Sequence, residues 1–139
     1  MATFVKFEPF IQFLVNKEMD LFGTNETINV IIHSDAPVVA TDDTVADLTQ
    51  ITGTGYAAAD TQNDATRSGG TVTMTMVDYT WTAGAGDWTA GRYVAMYDDT
   101  PTTPTADPLF GDYDYGASFT VGNGETFTVD YGASVATFA

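Results

Sequence analysis

The chain has 139 residues and a mass of 14.8 kDa, which fits one domain exposing about 7,000 Å² when folded. Asp and Glu number 19 against 4 Lys and Arg, giving a net charge of −15 and a pI near 4.1. That excludes nucleic acid as the main partner, because phosphate binding needs Lys and Arg to displace counterions, and it argues against anionic membrane surfaces. No cysteine is present, so disulfides, thiolate metal sites and cysteine nucleophiles are ruled out.

Hydrophobic residues make up 44% and the mean hydropathy is −0.04, which opposes disorder despite the charge. No apolar stretch approaches the ~20 residues of a membrane helix. The opening Met1–Glu8 carries Lys6 and Glu8 within its apolar part, so no secretory leader is expected there. Frequent Thr, Val, Tyr, Phe and Trp favour β-structure.

At the start, Phe4, Phe7, Ile11 and Leu14 recur at three- and four-residue steps, widened by Phe10 and Val15. With Pro9 suited to a first turn and Glu8 to the positive end of a helix, a short helix is predicted over residues 8–17, its apolar side on the core. Gly23-Thr24-Asn25 signals a turn, and the β-branched run Thr27–Ile32 a buried strand. Residues 36–70 have no sustained period and predict a long loop with a helical turn near Val45–Leu48. Because such loops are unusual in compact domains, either something it touches orders this one or a weak strand hides in it.

Residues 71–82 alternate strongly. Val72, Met74 and Met76 share one face, and Val77, Tyr79 and Trp81 the other. A one-residue slip reverses every side chain, so a bulge or sheet switch is predicted near Met76–Val77; the alternative is an edge strand with its aromatics exposed. Arg92–Tyr97 is the next strand, and Pro101, Pro104 and Pro108 keep the segment they punctuate out of a central strand. Phe119 and Val121 are expected to face Phe127, Val129 and Tyr131 across a hairpin with a three-residue loop, Gly122-Asn123-Gly124, and a left-handed Gly124. Ser134–Ala139 offers a closing strand through Val135 and Phe138. The predicted whole is one mainly β domain, an antiparallel β-sandwich or jelly roll with a short N-terminal helix.

Signals for chemistry are few. His33, the one histidine, precedes Ser34 and Asp35, but neighbours on an extended chain point to opposite faces and cannot form a triad; a solvent-accessible strand-end histidine is expected. Gly53-Thr54-Gly55-Tyr56 lacks the Gly-Lys-Ser/Thr of a phosphate loop. Asp42-Asp43, Asp98-Asp99 and Asp112-x-Asp114 offer oxygen ligands for Ca²⁺, yet without EF-hand spacing they are read as solvated acids. A glycosidase pair is disfavoured because it would want aromatic clefts and a larger chain, and Asn25-Glu26-Thr27 is a bare glycosylation sequon. No catalytic residue, metal or cofactor is expected. Arg92 is expected at a sheet margin against a carboxylate. Arg67 is expected in the glycine-rich loop as an anchor to a neighbour, given the bidentate fork of arginine.

Several stretches resemble those of small virion structural proteins of tailed bacteriophages. They are Phe10–Leu21 with Thr27–Ile32, the Gly-x-Gly-Tyr segment within Leu48–Tyr56, Val77–Ala83 with Ala90–Thr100, and Pro108–Gly111 with Gly124–Val129. The resemblance implies a capsid decoration (cement) protein on the outer surface of the head. Such a protein binds the major capsid protein, commonly forms trimers, touches neither nucleic acid nor membrane, and performs no catalysis. Arg67, Arg92, Tyr56, Tyr79 and Trp81 are the candidate partner-interface residues. The alternative is a fibre, baseplate or tail-associated β-sandwich module that binds a host receptor or glycan.

Overall fold

The computed structural model describes residues 2–21, 26–61 and 63–139; the turn at Gly23–Asn25 and Asn25 of the sequon fall outside them. Its frame is an antiparallel five-stranded sheet in the order β1 (Thr3–Lys6), β8 (Leu109–Phe119), β7 (Gly91–Asp98), β2 (Ile28–His33) and β3 (Ala59–Asp60). A three-stranded sheet of β10 (Ala136–Phe138), β5 (Thr71–Met76) and β4 (Asn63–Ser68), and the pair β6 (Tyr79–Thr82) with β9 (Thr126–Val129), complete the strands. The molecule is a mainly β, antiparallel, sandwich-like domain with one short α-helix among the described residues, and it exposes 7247 Å².

All six residues of β2 are buried, which a half-exposed strand does not allow. Ile28, Val30 and Ile32 enter the main core, where they join Val94 and Met96 of β7, Met74 and Met76 of β5, and Trp81 of β6. Ile31, with Ala95 and Tyr97 of β7, belongs to a second cluster on the opposite face, closed by Phe7, Leu48 and Leu109. That outer face explains the long loop. Val45–Asp47 forms a 3-10 turn whose Asp47 carboxylate accepts the N–H groups of Asp43 and Thr44 at 3.1 and 3.0 Å, and it sets Leu48 down on the sheet. Both expectations for this region hold: the first part is ordered by what it covers, and β3 and β4 lie within the rest.

The sheet switch also holds. Thr71–Met76 pairs with β4 and β10, whereas Tyr79–Thr82 pairs with β9 after the break at Val77-Asp78. The helix α1 is shorter than predicted, Phe10–Asn16, and its core face is Phe10 and Phe13, while Ile11 is exposed. Phe4 is not helical at all but sits on β1, against β8. Lys17, left-handed at φ 60°, ends the helix, with its N–H on Leu14 O and that of Glu18 on Phe13 O.

One expectation is corrected. Phe119 and Phe127 are not partners in a hairpin: Phe119 pairs with Gly91 of β7, and β9 pairs instead with β6, opposing Trp81 to Phe127. The ring contact survives by another route, since Phe119 stacks face to face on Phe127 at 4.4 Å and 5°. Gly124 is left-handed as predicted (φ 82°), in a turn where Glu125 N–H donates to Gly122 O at 2.8 Å.

Three aromatics stitch the segment from Gly53 to Ala57 to the sandwich. Trp88 Nε1 donates to Thr54 O at 3.0 Å, Trp81 Nε1 to Ala57 O at 2.8 Å, and the Tyr56 hydroxyl bonds both backbone groups of Ile32. Glycine is required at position 53, where a Cβ would lie 2.2 Å from Trp88 Cδ1. Gly53→Ala is expected to cost about 1–3 kcal/mol in urea unfolding. Gly70→Ala, where a Cβ meets nothing within 4 Å, is expected to stay within about 0.5 kcal/mol of the parent; equal losses would contradict this packing.

Candidate functional site

Three neighbouring strands bring a polar cluster to the outer face of the main sheet. His33 closes β2, Tyr93 stands beside it on β7, and Asp112 and Asp114 come from β8. His33 Nε2 meets Asp112 Oδ2 at 2.6 Å, its Nδ1 lies 3.5 Å from Asp35 Oδ1, and its ring stacks on Tyr93 at 5.3 Å. Burial pushes the Asp112 carboxyl above its ordinary range, and the hydrogen bond from His33 draws it partly back.

The solvent access expected for His33 is overturned, because the residue is 0% exposed. The chain after it folds back over the ring: Ser34 N–H donates to Thr49 O, Thr49 N–H donates to Asp35 Oδ1, and His33 bridges to Gln50. Both ring nitrogens face carboxylates, and no described hydroxyl hydrogen-bonds either one. The cluster ties strands together; it does not present a nucleophile to solvent.

Of the predicted interface residues, Tyr56, Trp81 and Tyr79 are brought into contact, their rings 6.0 and 4.9 Å apart, whereas Arg67 and Arg92 lie on other strands. Arg92 lies at the sheet margin as expected, inside the register shift between Gly91 and Tyr93, and grips Asp114 through Nε and an Nη at 2.9 and 2.8 Å. The guanidinium beside it holds Asp114 down to about 2, so this pair persists until pH falls below the ordinary carboxylate range. Arg67 lies not in a loop but on the edge strand β4, exposed opposite Val72, and makes no ion pair among the described residues. Trp81 and Tyr56 correct the reading of displayed aromatics. Trp81 is 3% exposed, and Tyr56 turns its hydroxyl into β2, because both rings pack over the main core. Tyr79 stays at the surface, edge-on to Trp81.

Sequence reasoning missed a second feature, a groove of about 670 Å³ where β1, β8 and β9 converge. Phe4, Tyr113, Tyr115, Phe127 and Tyr131 line it, with the exposed Asp130 among the polar residues. The signal lay in Asp112-Tyr113-Asp114-Tyr115, whose period of two marks a strand with one aromatic face. Members of the acidic pairs are engaged within the fold: Asp42 accepts Val38 N–H, while Asp98 accepts those of Asp20 and Thr100. Among the described residues no three His, Asp or Glu are grouped to hold a metal ion, and no helix is long and apolar enough to cross a membrane. No family model, curated protein or solved structure matches the chain.

His33→Ala leaves the Asp112 carboxylate buried without its partner, at a cost of about 3–5 kcal/mol. A carboxyl raised by burial stabilises the fold below its unfolded pKa, and that contribution is lost as pH rises through the folded value. The variant loses the group that lowers Asp112, so its deficit should be larger at pH 7 than at pH 4.5 in urea unfolding. A deficit independent of pH would contradict this assignment.

Proposed function

We propose that the protein is a virion structural protein, a capsid decoration (cement) protein that binds the outer surface of a tailed-phage head and stabilises it through lattice and self contacts. It acts by adhesion and not by turnover. The observation that carries the reading is the open edge of β4. Among the described residues this strand is paired on one side only and is largely exposed, and it holds Arg67, without an ion pair there, in a chain so short of bases. An open edge with a planar cation is a template for joining another chain.

Self contact is assigned to this edge, replacing the buried Trp81 and the half-buried Tyr56. Trimers are the favoured assembly, and several weak contacts per assembly then add through avidity. The remaining surface is strongly acidic, which suits a shell protein that must ignore packaged DNA and meet basic patches on the major capsid protein. A second reading draws on the aromatic groove: a fibre or baseplate module that binds a host receptor or glycan.

The test is to mix purified protein with bare heads and image them. A regular outer density with raised heat tolerance of the head supports decoration; glycan binding without affinity for heads supports the second reading. Release from heads should increase between about 0.05 and 0.5 M salt, where screening shortens to a few ångströms. Arg67→Glu should weaken self-association about tenfold or more in sedimentation. Salt-insensitive attachment, or association unchanged by Arg67→Glu, would contradict the corresponding contact.

A further inference from the structure

The aromatic groove has a chemistry of its own. We propose that it is a cage for one cationic side chain, Lys or Arg, presented by an extended segment of a partner protein.

Its walls are rings set at steep angles. Phe4 and Tyr113 lie 5.3 Å apart at 58°, Tyr115 and Phe127 5.9 Å apart at 61°, and Tyr113 and Tyr131 6.4 Å apart at 55°. Rings so inclined do not stack on one another, and they border a groove of about 670 Å³; one face of Phe127 is taken by Phe119, stacked on it at 4.4 Å. The negative face of an aromatic ring attracts ammonium and guanidinium groups. The same contact already occurs inside the chain, where the Arg92 guanidinium lies 5.1 Å from the centre of the Tyr93 ring.

Charge selects a cation over a neutral ligand. Asp130 lines the groove and is exposed, with Oδ1 accepting the Gly132 N–H. None of Lys6, Lys17, Arg67 or Arg92 lines it. A net charge of −15 draws cations toward the chain and offers nothing to a neutral sugar. Tyr115 is 58% exposed, so the outer wall is open to an arriving segment.

This inference stands apart from the decoration reading, because its probe is a free peptide and no phage head is needed. Isotope-labelled protein is titrated with the blocked peptide acetyl-Gly-Lys-Gly-amide and followed by NMR. The expected result is saturable shifts confined to Tyr115, Phe127, Asp130 and Tyr131. The peptide with norleucine in place of lysine should not produce them. Tyr115→Phe should keep binding and Tyr115→Leu weaken it about two- to fivefold. Tyr115 is a surface residue, so neither change threatens the fold; Asp130→Asn should also weaken binding. Equal binding of the norleucine peptide would overturn the proposal, as would absence of lysine-dependent shifts. So would saturation of the groove by neutral cellotetraose in place of the peptide.

Discussion

The structure depends on burying the central strands β2 and β7 on both faces. One face meets the second layer of strands and α1, and the other is closed by Phe7, Leu48 and Leu109. A chain of this size has few elements with which to cover two faces, so a stretch without periodic pattern does the work of a third layer. This is why His33 and Asp112 can face each other out of water. A buried carboxylate is tolerable only with a partner, and the covering loop removes the water that would otherwise serve as one. The loop, the second cluster and the His33–Asp112 contact therefore stand or fall together.

That arrangement separates a quiet centre from a reactive rim. Three carboxylates of the centre and its margin are paired within the fold: Asp98 by two backbone N–H groups, Asp112 by His33, and Asp114 by Arg92. Under the proposed reading, the surfaces for partners lie at the edges, in the open strand β4 with Arg67, the aromatic groove beside β9, and the acidic surface.

Much of the fold was legible because it rests on local pattern. The β-branched run Thr27–Ile32 marked β2 almost to the residue, and alternation reversing at Met76–Val77 marked the change of sheet. Where pairing is decided at long range, local pattern misled. Phe119 and Phe127 were correctly brought into contact, but the ladder went elsewhere: β9 pairs with β6, Phe119 pairs with Gly91 of β7, and β1, a four-residue strand disguised by helical spacing, lies along Gly111–Asp114 of β8. The site was less legible still. Nothing within His33-Ser34-Asp35 announces a carboxylate 79 positions away, and the burial of Trp81 and half-burial of Tyr56 follow from how layers stack, which composition does not encode. Arg92 was the exception: a lone base flanked by strand residues has few places to go besides a neighbouring acid.

Amide hydrogen exchange tests the quiet-centre account most directly. Exchange rates report local opening residue by residue. The account places the amides of Ser34 and Ile51, which bond Thr49 O and Ile32 O, in the same slow class as β2 and β7, with β4 exchanging much faster. Fast exchange at Ser34 and Ile51 beside slow β2 and β7 would show a loop merely resting on the sheet, and would contradict it.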